Sequence, residues 1–298
     1  MLDILMCPCC KQALKVLDAC SSCGQAFPTD SGTPILVGGG SGSHREFKIE
    51  YGYYAADLET LRRVLSTPPQ PVPGGRLPYH MKPEHSHAIA GLEKGSTVVE
   101  IGCGGGQNRG YITSLGHRYV GTDISKTRVY DWLQKHGGPD LLCDAHFLPI
   151  QDASLDAVYC SAVFEHLAFP HLAAAEIARV LKPGGLFLGN VSFLEPWHDN
   201  SYFHMTPLGV VQLLRHSNVT IEHVWPERGY SGFHAIHKMG NRSTSALRAI
   251  GALMYRIYRA EYAVKLQLRR QKREIFADLS QQAQVSGAIF WIARKPQR

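Results

Sequence analysis

No apolar run in this chain approaches the ~18 residues that a membrane-spanning helix needs. The first residues do not follow the charged-then-apolar layout of a secretory leader. A disulfide framework is missing as well: five of the eight cysteines fall within the first 23 residues, and Cys103, Cys143 and Cys160 stand singly. These absences argue against membrane-spanning and disulfide-stapled classes, and a cytoplasmic protein is expected. What is present suits a globular enzyme, since 298 residues with 44% hydrophobic content can bury one full core and a smaller companion. Charge is unevenly placed. Between Arg242 and Arg273 nine Lys/Arg stand against one acid, Glu261, so this segment carries +8 and the remainder of a +6 chain is at −2.

The stretch Val98-Val99-Glu100-Ile101-Gly102-Cys103-Gly104-Gly105-Gly106 reads as an apolar strand that ends in an acid and runs into glycines at every second position. Glycine there permits a tight turn and lets a ligand approach with no Cβ in the way. Tyr119 to Asp123 is a second short strand, ending in a carboxylate about 20 residues on, where a nucleotide's ribose partner belongs in doubly wound folds. Leu141 to Ala145 ends a third strand at Asp144, and Leu155 to Ser161 is a fourth, followed by Glu165 and His166. The dinucleotide fingerprint reads G-x-G-x-x-G, whereas here the third glycine comes one residue early.

Together, E-x-G-x-G-x-G, D-I, D-A and S-x-x-x-E-H at four strand ends resemble class I S-adenosylmethionine-dependent methyltransferases of the broad type 11 kind. Glu176 to Gly185, a helix followed by a Pro-Gly-Gly turn into a fifth strand, extends the resemblance, which covers residues 84 to 225 and returns at 286 to 295. It implies an α/β fold with a Rossmann-like, doubly wound, mostly parallel seven-stranded sheet. It also implies the cofactor S-adenosyl-L-methionine, with Gly102, Gly104 and Gly106 leaving room for its methionine and ribose parts and Glu100 beneath them. Asp123 would accept from the ribose hydroxyls, with Ile124 beside it. Asp144 and Ala145 would flank the adenine, and Ser161 would stand at the cofactor–acceptor junction.

At the amino terminus, Cys7-Pro8-Cys9-Cys10 and Cys20-Ser21-Ser22-Cys23 form two C-x-x-C hooks if Cys7 pairs with Cys10. Cys7, Cys10, Cys20 and Cys23 then offer four thiolates to a structural Zn²⁺, which so short a segment needs in order to fold. Cys9 is the competing thiol. Four thiolates close the shell, which argues against a catalytic zinc, and no strand-to-helix junction signals a redox pair. With F-P-x-D-x-G-x-P-I-L following over Phe27 to Leu36, residues 1–37 resemble the small zinc ribbon that accompanies tRNA and release-factor methyltransferases.

Residues 38–83 join this ribbon to a domain over 84–298. They comprise the Gly-Ser stretch Gly38 to Ser43, a helical pattern from His44 to Leu65, and a loop from Thr67 to Pro83 with six prolines. In the resembled family such a helix often closes over the cofactor, through a tyrosine such as Tyr51, Tyr53 or Tyr54. A short helix over His85 to Leu92 precedes the first strand. After the fifth strand, Leu186 to Phe193, the loop Leu194 to Pro207 lies outside a strand's carboxyl end, where ligands bind in α/β folds. It resembles an acceptor-facing loop of type 11 relatives, with His204 where arginine is usual. Thr206-Pro207 starts a helix to about His216, and Val219 to Trp225 and Gly287 to Ala293 are the sixth and seventh strands. A hydroxyl acceptor needs a base, usually histidine. His198 is the leading candidate; His166, Glu195 and His204 are the others.

Residues 229–285 form a helical insertion before the last strand. Leu247, Ile250, Leu253, Met254, Ile257, Tyr258, Val264 and Leu268 mark a basic amphipathic helix. The breadth of that stripe predicts packing against the domain or against a second subunit, the latter as a homodimer. An anionic membrane surface and RNA are the other partners that the basicity admits. The expected function is O-methylation of a small-molecule or sugar-containing (glycan) acceptor, and RNA methylation is the alternative. A non-catalytic cofactor-binding scaffold is the third reading, disfavoured by intact glycines and acids. The N-P-P-[YFW] tetrad of amino-group methylation is absent where Ser161-Ala162-Val163-Phe164 stands, and the paired cysteines of uridine modification are missing.

Overall fold

The computed structural model describes residues 2–36, 53–69, 77–78, 81–126, 136–198, 200–235, 245–270, 272 and 274–297. A two-stranded hairpin, β1 (Thr29–Asp30) and β2 (Thr33–Pro34), belongs to the amino-terminal ribbon. The main sheet has seven strands: β3 (Thr97–Ile101), β4 (Arg118–Asp123), β5 (Leu141–Leu142), β6 (Leu155–Ser161), β7 (Leu181–Ser192), β8 (Thr220–Pro226) and β9 (Ala288–Arg294). Their order is β5-β4-β3-β6-β7-β9-β8, with β9 antiparallel to both neighbours and the other pairings parallel. The sheet grows outward in both directions from β3, which puts the ligand crevice at the carboxyl ends of β3 and β6. This is the Rossmann-like, doubly wound sheet that the strand-end motifs imply.

Strand periodicity assigns each residue to a face. Adjacent Val98 and Val99 of β3 enter different cores. One face is covered by α4 (Pro170–Val180), which buries Ala173, Ala174, Ile177 and Ala178, and by α5 (Pro207–Arg215). The Thr206 hydroxyl caps α5, accepting the Gly209 N–H at 3.1 Å. On the other face α2 (Pro83–Ala90) buries Ile89 and α3 (Arg109–Ser114) buries Ile112. Helix α1 (Tyr53–Val64) is anchored to α5 by Asp57 and Arg215, 3.0 Å apart. The helix anticipated from His44 is thus described only from Tyr53. Tyr51, the linker Gly38 to Ser43 and the Tyr53 and Tyr54 side chains fall outside the described residues. β5 is shorter than Leu141 to Ala145 because the chain turns at Asp144, whose carboxylate accepts the His146 N–H at 2.9 Å.

The ribbon does not hang free of the sheet. Ile35 bridges Leu142 in parallel, the Leu36 N–H donates to the Leu142 carbonyl at 2.8 Å, and the Met6 N–H donates to that of Pro149 at 2.9 Å. Leu5, Leu14, Phe27 and Leu36 share one core with Val99, Leu141 and Ile150.

The insertion comprises α6 (Gly232–Ala235), α7 (Ser245–Leu268) and α8 (Ile275–Ala283). α7 is tied to α8 by Tyr258 Oη on the Gln281 carbonyl at 2.9 Å and by Arg259 on Asp278 at 2.7 Å. The single apolar stripe read from sequence divides: Tyr258 turns inward, while Ile250, Leu253, Ile257, Val264 and Leu268 are exposed. No described helix is long and apolar enough to cross a membrane.

Candidate active site

The glycine turn after β3 takes left-handed backbone at Gly102, Gly104 and Gly106, with φ of 66°, 53° and 77°. A Cβ on Gly102 would meet Val163 Cγ2 at 2.2 Å, and one on Gly106 would meet the Gly138 carbonyl at 2.9 Å. Around Gly104 the nearest atom, Gln107 Oε1, is 3.9 Å from such a Cβ, so this residue leaves an open approach. Asp123, ending β4, locks the turn: its Oδ2 accepts the Gly104 N–H at 2.9 Å and its Oδ1 accepts the Ile124 N–H at 2.7 Å. Glu100 is buried and clasped, with Oε1 accepting from Asn108 Nδ2 and Oε2 from the Tyr119 hydroxyl, both at 2.6 Å. Burial pushes its carboxyl up to about 7 against those two bonds.

After β5, Asp144 Oδ1 accepts from both the backbone N–H and the ring Nδ1–H of His146, at 2.9 and 2.6 Å. His146 Nε2 accepts the Phe169 N–H at 3.2 Å, which fixes the neutral tautomer that donates to Asp144. Burial raises the Asp144 carboxyl, but the side-chain and backbone contacts of His146 together outweigh it and the net shift is downward. Its Oδ2 carries no bond among the described residues, and Ala145 beside it is buried. Ile124 and Phe169 expose apolar side chains next to this pair of acids. Ser161 ends β6 with a buried Oγ beside the Tyr159 hydroxyl.

Beyond β6 the chain enters left-handed backbone at Ala162, held by the Asn190 side chain, whose Oδ1 accepts the Ala162 N–H at 3.1 Å. Glu165 is fully buried; Oε1 accepts from Ser192 Oγ at 2.7 Å, while burial pushes the carboxyl up. Its carbonyl accepts the N–H groups of Tyr202 at 2.6 Å and Phe203 at 3.1 Å, pinning the loop after β7 across the end of β6. His166, His198 and His204 line up there, with ring centroids 5.6 and 5.8 Å apart. His198 Nδ1–H donates to the Pro196 carbonyl at 2.9 Å, leaving Nε2 as the basic nitrogen. His204 Nδ1–H donates to the Phe193 carbonyl at 3.1 Å, and its Nε2 accepts from Ser201 Oγ at 3.3 Å. Glu195 lies within electrostatic reach of both Glu165 and Tyr230. Glu165, His166 and His198 bring one ligand atom each within 4.8 Å of one another.

Residues 99–189 match the family described as methyltransferase domain. That segment is just under a third of the chain. Among curated proteins, the chain is 35% identical over 115 residues to mouse tRNA (carboxymethyluridine(34)-5-O)-methyltransferase ALKBH8, covering 38% of this chain and 17% of that one. It is 34% identical over 114 residues to sterol 24-C-methyltransferase ERG6B of Gibberella zeae, covering 35% of this chain and 30% of that one. The chain therefore spans less than a third of either relative. Among solved structures, one chain of the complex containing the Haloferax volcanii Trm112 methyltransferase activator is 20% identical, with TM-score 0.47, covering 83% of this chain and 95% of that one.

Around the candidate site, sequence reading missed four contributors. Asn108 and Tyr119 hold Glu100, His146 orients Asp144, and Asn190 supports Ala162. Only His146 carried a local signal, two residues past an acid at a strand end. The ribbon sulfurs also gather: Cys7 and Cys23 are 3.7 Å apart, Cys10 and Cys20 3.6 Å, and all four lie within 4.8 Å of one another. Cys9 points elsewhere, its Sγ 3.6 Å from Gln25 Oε1.

Proposed function

We propose that the chain transfers a methyl group from S-adenosyl-L-methionine to a hydroxyl of a small-molecule or sugar-containing acceptor. The observation that carries this reading is His198, whose Nδ1–H is committed to a carbonyl while Nε2 keeps its lone pair among the groups at the end of β6. The residues suit the cofactor. Gly104 leaves space where a Cβ would intrude, and Asp144 keeps Oδ2 for an exocyclic amine. The Asp123 carboxylate, an acceptor only, suits the two hydroxyl donors of a ribose. Bound cofactor supplies a methyl on a cationic sulfur, which is already a strong electrophile. The protein's part is alignment of the acceptor in line with that bond and removal of its proton by His198. Trp197, 75% exposed with its Nε1–H fixed on the Ser201 carbonyl at 3.0 Å, offers a rigid face for a sugar ring.

Incubating the protein with methyl-labelled cofactor and a cell extract tests the reading. Label should enter small molecules or glycans and stay out of RNA. Label confined to RNA would move the acceptor class to the second reading, RNA methylation. The base assignment also requires that added Mg²⁺ or Mn²⁺ leave the rate unchanged. Stimulation by either ion would instead make Glu165, His166 and His198 its ligands.

The four gathered thiols support a structural zinc, since their spacing fits a closed tetrahedral shell. Elemental analysis should find one zinc per chain, kept in Cys9→Ser and lost in Cys20→Ser. Retention by Cys20→Ser would refute the ligand set.

A further inference from the structure

Helix α7 has two apolar faces. Inward, Gly251 packs on the Phe233 backbone so closely that a Cβ would meet its carbonyl at 2.2 Å. Tyr255 and Tyr258 stand on the His234 and Phe233 rings, 5.7 Å between centroids in each case. Outward, Ile250, Leu253, Ile257, Val264 and Leu268 fall within an arc of about 60° at 100° per residue. All five are at least half exposed, Leu268 at 78%. Arg256 borders this arc on one side and Lys265 on the other. The one acid of the helix, Glu261, is neutralised by Lys265 at 2.6 Å. Arg269, Arg270 and Lys272 continue the cationic run past its end.

We propose that this outer face docks on an anionic lipid surface, with α7 lying in the plane of the interface. Two features choose the occupant. A second copy meeting the same face across a two-fold axis would bring two strongly cationic helices together, and like charges so juxtaposed oppose association. RNA would meet the cations but leave the apolar arc in water. An interface of acyl chains and anionic headgroups takes both: the aliphatic side chains enter the acyl boundary while Arg256 on one flank and Arg269, Arg270 and Lys272 past the helix end reach the headgroups. The helix lies along the surface, because no described helix can span a bilayer.

The docked face has a short path to the site. Behind α7 stands α6, whose Gly232 is so close to Leu194 that a Cβ would meet that side chain at 3.1 Å. Leu194 precedes Glu195 on the acceptor-side loop. Helix α6 thus links the docked helix to the loop that carries His198. Lipid docking does not depend on the methyl-transfer reading, and the two fail separately.

Co-sedimentation with vesicles of phosphatidylcholine alone and of phosphatidylcholine with phosphatidylglycerol tests the proposal. Wild type should pellet with the mixed vesicles and not with the neutral ones, and 0.5 M salt should weaken the binding. Leu253→Glu with Ile257→Glu should lower partitioning more than tenfold. Both positions are exposed, so melting temperature and cofactor binding should not change. Failure of wild type to bind mixed vesicles would overturn the proposal. So would equal binding by the double variant, or a wild-type dimer in light scattering that the double variant splits into monomers.

Discussion

The two halves of the site are built by different means. From β3 to β5, side chains grip the backbone: Asp123 holds the Gly104 and Ile124 N–H groups, Asp144 holds that of His146, and Glu100 is clasped at both oxygens. From β6 to α5, three histidine rings lean on one another along a loop, with Nδ1 contacts to the carbonyls of Pro196 and Phe193. A carboxylate that fixes a left-handed turn admits few substitutes, because the turn fails without it. A loop hung outside the sheet can be rebuilt for another acceptor while the sheet is left intact. The cofactor half is therefore specified by backbone geometry, and the acceptor half by side chains that the fold does not need.

The comparison makes its largest demand at His198. Replacement by alanine should lower kcat by about 10²- to 10⁴-fold, the usual contribution of a positioned base. Calorimetric affinity for S-adenosyl-L-methionine should not change, since the ring belongs to the acceptor half. A parallel loss of cofactor binding would erase the division between the halves.

Glu100 tests the cofactor half through pH. Burial raises its carboxyl from 4.5 to about 7, so the folded chain holds this proton more tightly than the unfolded one. Its contribution to stability is therefore full below pH 4.5 and is lost as pH rises through 7. The shift corresponds to about 3 kcal/mol across that window. Urea unfolding of wild type and Glu100→Gln at either end of the range measures it. The variant should lose less stability with rising pH by about that amount, and equal losses would show that the carboxyl is not strained by burial.

Asp123→Ala should weaken binding of S-adenosyl-L-methionine and S-adenosylhomocysteine ten- to a hundredfold, on the order of 1.5–3 kcal/mol for a charge-assisted acceptor. The two ligands differ at sulfur and not at ribose, so they should suffer alike. A loss confined to one of them would move Asp123 away from the ribose.

The cofactor half was legible in sequence because each of its acids follows an apolar run and its glycines are evenly spaced. Its clasps were not. Tyr119 reaches Glu100 because β3 and β4 pair with Glu100 opposite Gly121, and no local pattern records that register. The histidine loop was visible as a collection of candidates, but which rings meet is decided by Glu165, whose carbonyl draws Tyr202 and Phe203 across. Two larger features also escaped. The cysteine hooks read as a separate module, whereas Ile35 bridges the edge strand and Leu36 shares its core. The spacing of α7 marked it as amphipathic without telling that its broader stripe would face out, because inward packing through Gly251 and the tyrosines depends on α6.

The smallest effect expected comes from Gly104, which lies two residues from Gly102 and shares its left-handed backbone. Alanine at Gly104 meets no atom closer than 3.9 Å, so its penalty is the conformational strain alone, about 1–2 kcal/mol. Alanine at Gly102 carries the same strain and also drives a methyl into Val163, an overlap that typically adds about 1–3 kcal/mol. Val163 lies two residues before Glu165, so that push travels from the cofactor half into the acceptor half. Thermal unfolding of the two variants should therefore differ by the overlap term. Only Gly102→Ala should change kcat with cofactor saturating, because only it displaces the turn that carries Glu165 and His166. If Gly104→Ala lowered kcat as much, the two halves would be coupled through the glycine turn itself, and the contact of Gly102 with Val163 would not be the hinge between them.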